Sequence, residues 1–349
     1  MSSSPTAASN EYANLGREDL ARLADEFTWF HAIDCGDFQT SGRFKPGTPQ
    51  NCTLYGVFDL IRQMDLRGQN CLDIGTADGL LAFGMKTLGA ETVIASDSYR
   101  PKSFDLACAA IGADIGYRPQ LQIKDLLATF QPASFDLIAC AGVIYHMLNP
   151  LSALLVGRQL VKEGGYLLVE TAYAPGAVCL GSPTKRWARS STIAAKFARA
   201  LAKLAPKNDS AAMVFNPVAE INAEMYTYWL PTRAALEGMM RLACFEVVAT
   251  RTINRLARIT VLGRAVKPAE ISQRSALLQK MHDIDFCDHE FRLKELFTEN
   301  RAVSSITMQP VEIYEDIYPD KWSGSYPHHP RTLPNPKGRS SWSTTDGNV

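Results

Sequence analysis

No excess of either charge marks this chain: 36 Lys and Arg stand against 36 Asp and Glu, a formal net charge of +0. Such a balance gives no global field to hold nucleic acid or an anionic membrane, so binding of that kind would need a local patch. Long apolar runs are missing too: nothing approaches the ~18 consecutive apolar residues of a spanning helix. The opening residues, MSSSPTAASN, are polar and do not resemble a secretory signal. Cysteine is sparse: eight residues in 349, without CxxC pairing, suggest neither a disulfide framework nor a zinc site. Cys71 and Cys140 lie in apolar runs and read as small core side chains, so a reducing cytoplasm is the expected compartment. With 46% hydrophobic and 21% charged residues, the chain has the composition of an ordinary globular protein with ample core.

What is present is an alternating pattern. Residues 17–33 and 54–66 carry apolar groups at helical spacing, with a Gly-, Pro- and Thr-rich loop at 34–51 between them. From residue 70 the pattern predicts strands at 70–75, 91–97, 121–126, 135–146 and 166–173. Helices are expected at 77–89, 103–112 and 149–165. Apolar strands alternating with helices make a parallel sheet covered on both faces. The alternation stops for about fifty residues, then resumes with a helix at 231–244 and two strands joined around Asn254. The expected architecture is therefore α/β, a Rossmann-like seven-stranded sheet, mostly parallel, with an antiparallel last strand. Residues 1–53 form an N-terminal helical lid, 54–173 the core, 174–230 a specificity insert and 231–267 the end of the core. Residues 268–349 form an extension whose Pro- and Ser-rich tail is either disordered or laid across the domain.

The strongest local signal is Asp73-Ile-Gly75-Thr76-Ala77-Asp78-Gly79, where the first strand meets its helix. Glycines there let the backbone turn sharply and approach a ligand closely. The spacing is not GxGxxG, and Asp73 would repel a pyrophosphate, which disfavours a nicotinamide oxidoreductase. A cationic ligand without phosphate suits it better, and S-adenosylmethionine is one. Asp97, ending the second expected strand with Ser98 after it, can accept bonds from ribose hydroxyls. Asp125, ending the third expected strand beside Leu126, could take a bond from an adenine amino group, and Ala141 lies at the fourth. Against this stands a plain scaffold whose acids merely cap helices.

These motifs carry a resemblance. LDIGTADG at 72–79, VIASD at 93–97, the AGVIYH run and GGYLLVET resemble class I S-adenosylmethionine-dependent methyltransferases over about residues 50–266. More narrowly, FTWFHAIDCGD at 27–37, GVIYHMLNPLSAL at 142–154 and LLVETAY are similar to the branch around the tRNA wobble-uridine (5-oxyacetate or 5-methoxyuridine) methyltransferases. The upstream Lys-Gly-Pro-Phe element and tryptophan-rich stretch of the tRNA enzyme are not found in this chain. The resemblance thus implies methyl transfer to a small molecule, with S-adenosyl-L-methionine as cofactor and S-adenosylhomocysteine as product. Wobble-uridine (carboxy)methyl transfer and a non-catalytic cofactor-binding module are the rivals.

Tyr145 and His146 are the catalytic candidates: His146 could act as general base and Tyr145 could orient the acceptor. Simple in-line positioning without a base would also suffice. Trp29, His31 and Arg43 in the lid, and Tyr226, Tyr228 and Trp229 in the insert, are the substrate candidates. The stretch 185–207, with seven Lys or Arg and no acid, could meet RNA, a membrane or an anionic substrate, or simply be a solvated helix. His282 to Glu290 crowd acids, histidines and Cys287 together, but without tetrahedral zinc spacing, so no metal is expected. A homodimer is left open.

Overall fold

The computed structural model describes residues 11–43, 50–174, 210–215, 227–267 and 301–317. Its centre is an eight-stranded sheet. In chain order the helices are α1 (Arg17–Glu26), α2 (Tyr55–Ile61), α3 (Leu80–Thr87), α4 (Lys102–Ile111), α5 (Leu126–Thr129), α6 (Pro150–Leu160) and α7 (Arg233–Leu242). The strands are β1 (Met64–Asp65), β2 (Asn70–Ile74), β3 (Thr92–Asp97), β4 (Gly116–Pro119), β5 (Phe135–Ala141) and β6 (Val161–Ala172). They continue with β7 (Met213–Phe215), β8 (Trp229–Pro231), β9 (Phe245–Ile253), β10 (Arg258–Ala265), β11 (Thr307–Met308) and β12 (Tyr314–Asp316). The large sheet runs β12-β9-β10-β6-β5-β2-β3-β4, and β1–β11 and β7–β8 form two small pairs.

The apolar alternation explains the layers. Strand β10 is antiparallel to both β6 and β9, while β2, β3, β4, β5 and β6 pair in parallel. One face, with Cys71, Ala139 and Leu168, packs under α2, α3 and α4; the other, with Leu72, Ile138 and Val169, packs under α6 and α7. Seven strands were expected and eight are observed. The eighth, β12, joins the edge of β9 in parallel from the C-terminal extension.

Three expectations need correction. Residues 121–126 are not a strand. The third parallel strand is β4, and Asp125 sits on the short helical turn after it. Gln122 and Asp125 cap that turn reciprocally, so local capping overrides the apolar alternation of Leu121 and Ile123. The fourth strand stops at Ala141, because Gly142 turns with φ +73°, and Tyr145 and His146 lie on a 3-10 turn beyond it. The first helix ends at Glu26, where Phe27 turns to an extended conformation, so 27–33 is not helical.

The extension also returns to the core. Arg301 donates to the carbonyls of Arg158, Gln159 and Val161, at 3.1, 2.8 and 2.9 Å, closing the C-terminus of α6. Ser304 Oγ donates to Asp136 Oδ1 at 2.7 Å, and Gln69 Nε2 to Ser305 Oγ at 3.2 Å. Residues 301–306 thus run as a belt under the N-terminal ends of the strands, and the segment then crosses to the opposite end, where β12 pairs with Thr250, Arg251 and Thr252 of β9. The stretches 185–207 and 282–290 lie outside the described residues. Among those described, no helix is long and apolar enough to cross a membrane.

Candidate functional site

The loop after β2 is built by its own backbone. Gly75 N–H donates to Ser96 O at 2.8 Å and Gly79 N–H to Thr76 O at 2.9 Å. Gly75 has φ +76°, and a Cβ there would run into Val143 Cγ2; Gly79 has φ +92°, and a Cβ there would meet Phe83 and Phe104. Ala77 also takes a positive φ, +47°, and its N–H donates to Asp97 Oδ2 at 2.9 Å. The loop is therefore a fixed cradle whose shape needs these small residues.

The acids around it differ in environment. Asp73 is 2% exposed; Thr76 Oγ1 donates to its Oδ2 at 2.7 Å. Burial pushes its carboxyl up to about 7, against the Thr76 hydroxyl and the Ala82 amide and with help from Asp97. Its bond to the Ala82 amide makes it a cap of α3 as well. Asp97 is half-buried at the end of β3, where its Oδ1 accepts Ser98 N–H at 2.7 Å and the exposed Ser98 hydroxyl at 3.2 Å. Asp125 accepts the Gln122 N–H at 3.0 Å, and Leu126 is buried in the core.

Asp78 was visible in the motif but received no role there, and it anchors the N-terminal segment at Phe30 and His31. It is 4% exposed. Its Oδ2 accepts Phe30 N–H at 2.6 Å and His31 N–H at 2.8 Å, and its Oδ1 accepts Ser103 Oγ at 2.6 Å. A second clamp is Asn51, in the left-handed region at φ +54°, which exchanges bonds with both backbone groups of Ala32 at 3.0 and 2.6 Å. Segment 30–33 is thereby fastened to the loop.

On the other side of the cradle, Tyr145 is buried and its carbonyl accepts Tyr228 N–H at 2.8 Å. Arg258, at the start of β10, lies 4.9 Å from the centre of the Tyr145 ring and forks onto Glu170 at 2.6 and 2.7 Å. Burial works against its charge, but Glu170 and Tyr145 hold it firmly protonated. Glu170 and Arg258 had a signal that went unread: an acid near the end of one buried strand and an arginine opening another. His146 is exposed, its ring 4.0 Å from that of Tyr145. Trp229 Nε1 donates to Leu148 O at 3.0 Å, and its ring lies 4.9 Å from Phe215. Ala141 stands beside Glu170 in the register of β5 and β6.

Among the lid candidates, Trp29 is corrected. It is a core residue, 1% exposed, whose single donor meets Ala24 O at 2.7 Å, so its ring fixes the lid rather than facing a ligand. Arg43 stacks 5.1 Å from the Phe30 ring. Tyr226 lies outside the described residues. No group of three or more His, Cys, Asp or Glu that could hold a metal occurs among the described residues.

A wound parallel sheet with one antiparallel strand, and a glycine cradle with acids along its C-terminal rim, define a Rossmann-like nucleoside-binding class. A family of methyltransferase domains matches residues 53–250, more than half of the chain. The chain belongs to this family, whose members of this class use S-adenosylmethionine. It is 34% identical over 110 residues to a ubiquinone biosynthesis O-methyltransferase of Xanthomonas euvesicatoria pv. vesicatoria, covering 31% of this chain and 45% of that protein. It is 33% identical over 115 residues to a tRNA U34 carboxymethyltransferase of Pseudomonas paraeruginosa, covering 32% of this chain and 35% of that protein. The chain thus spans less than half the length of these curated relatives. A solved structure of Burkholderia thailandensis 1,6-didemethyltoxoflavin-N1-methyltransferase, bound to 1,6-didemethyltoxoflavin and S-adenosylhomocysteine, matches with 14% identity and a TM-score of 0.44. That match covers 62% of this chain and 79% of that one.

Proposed function

We propose that this protein transfers a methyl group from S-adenosylmethionine to an oxygen, nitrogen or sulfur nucleophile on a small molecule. The observation that carries the reading is the cradle itself. Gly75 and Gly79 leave no room for a side chain, and Asp73 and Asp78 are buried with only neutral donors on them among the described residues. Buried carboxylates without a cation favour a positively charged ligand. When bound, S-adenosylmethionine supplies a methyl group on a sulfonium sulfur.

The chain's own residues do the rest. Gly75, Thr76, Ala77 and Gly79 shape the floor, and Asp97 with Ser98 keeps acceptor lone pairs at the rim for ribose hydroxyls. Asp125 and Leu126 border the adenine side, and Ala141 the floor toward the acceptor. The Glu170–Arg258 pair fixes Tyr145, which orients the acceptor, and Tyr228 and Trp229 form the wall above it. His146, on the same turn and exposed, is placed to take a proton from an acceptor hydroxyl or ammonium. Alignment by these groups is the main contribution to rate, since the displacement is in line.

A small acceptor fits the acceptor side, where Tyr145 is buried under Tyr228. The tRNA reading draws on the 33% identity to the carboxymethyltransferase. The test is incubation of the protein with labelled S-adenosylmethionine and either a fractionated metabolite pool or bulk tRNA. Label in a metabolite is the expected result. Label in tRNA instead would replace the substrate class, and tight S-adenosylhomocysteine binding with no label anywhere would make the protein a binding module.

A further inference from the structure

Among the described residues of segment 30–33, which Asp78 and Asn51 fasten, His31 has a side-chain atom left incomplete. It is 7% exposed, and its Nδ1 is sealed from solvent with no hydrogen-bond partner. A buried polar atom in that state costs stability unless something else completes it. The neighbouring acid does not do so: Asp78 makes no bond to the ring and receives two amides and a hydroxyl, one of those amides being that of His31 itself.

The backbone around His31 is held from every side, so the ring is placed rather than stray. Thr40 Oγ1 donates to the His31 carbonyl at 2.9 Å and itself accepts Ile33 N–H at 2.8 Å. Asn51 clamps Ala32, and the Phe30 ring meets the imidazole edge to face at 4.8 Å. Burial keeps this imidazole neutral, with its value pushed down to about 4 against the pull of Asp78. A neutral ring protonated on Nε2 presents Nδ1 as an acceptor. The tautomer and the neighbouring carboxylate together call for a cationic donor. Asp73 and Asp78 supply two buried negative groups, and no Lys or Arg among the described residues pairs with either.

We propose that His31 is a cofactor-contacting residue, whose Nδ1 accepts a hydrogen bond from the ammonium of the amino-acid portion of S-adenosylmethionine, with Asp78 as the positioning residue that holds it there. This moves His31 from the acceptor wall to the cofactor. It also gives the extra acid of the DIGTADG loop a purpose distinct from ribose binding. The inference rests on the cofactor reading above.

The two can be tested apart by calorimetric titration of the full chain with S-adenosylhomocysteine and with methylthioadenosine, which lacks the amino-acid portion. In His31→Leu, affinity for S-adenosylhomocysteine should fall roughly tenfold while that for methylthioadenosine is unchanged, as expected for one lost hydrogen bond to a charged group. His31→Asn, which restores a polar atom near the Nδ1 position, should recover most of the loss. Equal weakening toward both compounds, or none toward either, overturns the assignment. If His31→Leu fails to fold, the Asn variant decides: wild-type preference for S-adenosylhomocysteine over methylthioadenosine supports the contact, and loss of that preference overturns it. Wild-type protein that binds neither compound overturns the cofactor reading itself, and this inference falls with it.

Discussion

The two ends of the parallel strands treat buried acids in opposite ways. Under the N-terminal ends, Asp136 meets Lys162 Nζ at 2.8 Å, and Glu163 lies between Arg158 at 2.5 Å and Arg301 at 3.2 Å. Each acid has its cation inside the fold. At the C-terminal ends, Asp73 and Asp78 have hydroxyls and amides only, while Glu170 alone has an arginine. A buried charge without a counter-charge is costly, and a chain keeps one where a ligand completes it. The lower end is closed by the chain's own extension, and the upper end is arranged to be closed by something cationic.

The largest effect should come from breaking the closed end. Glu163→Ala would leave Arg158 and Arg301 buried without their carboxylate, and should cost about 3–5 kcal/mol of folding stability. Urea unfolding measures it. A loss below about 1 kcal/mol would show that the lower charges are solvated after all, and the contrast between the ends would disappear.

The next effect concerns the open end. Asp97→Ala should weaken S-adenosylhomocysteine binding by about 1–3 kcal/mol through lost charge-assisted hydrogen bonds, with little change in global stability. Unchanged affinity would remove Asp97 from the site. Tyr145→Phe keeps the ring over Arg258 and removes the hydroxyl with its bond to Arg258, so turnover should fall by roughly tenfold, near 1.4 kcal/mol, with cofactor affinity intact. Equal loss of cofactor affinity would mean that the hydroxyl serves the fold rather than the acceptor.

The contrast also explains what could be read beforehand. The mostly parallel sheet and the β9–β10 hairpin followed from apolar periodicity, since strands buried on both faces have little choice of side chain. The loop 73–79 was legible because its glycines answer to backbone geometry, and φ +76° and +92° are local requirements. Asp125 misled because a capping box and a short strand look alike over six residues. Trp29 misled because an aromatic next to His31 reads the same whether its ring faces a ligand or the core. The belt was illegible for a different reason. Its ties, Arg301 to α6 and Ser304 to Asp136, span about 140 to 170 positions of sequence, and no local pattern encodes such a partner. The same holds for Glu170 with Arg258, 88 positions apart.

The smallest expected effect is also the most direct probe of the open end, because it reads a proton. Asp73 has its carboxyl raised by burial from 3.8 to about 7, so the folded protein binds a proton there that the unfolded chain releases at lower pH. Taken alone, this group favours the folded state fully below pH 3.8, and that contribution is lost as pH rises toward about 7. A cationic ligand prefers the ionised carboxylate and so lowers this value on binding. Binding should therefore release a proton below about pH 7, and affinity should rise with pH, by at most about tenfold per unit, then level off above it. His31 does not obscure the reading, since its value of about 4 keeps it neutral through this window. Calorimetry of S-adenosylhomocysteine binding in two buffers of different ionisation enthalpy counts the protons at about pH 6 and again at about pH 8.5. Release at the lower pH that fades at the higher one is the expected outcome. Proton uptake, or none at either pH, would mean that Asp73 does not sense the ligand's charge. The acids of the upper rim would then be helix caps, as closed in their own way as those below.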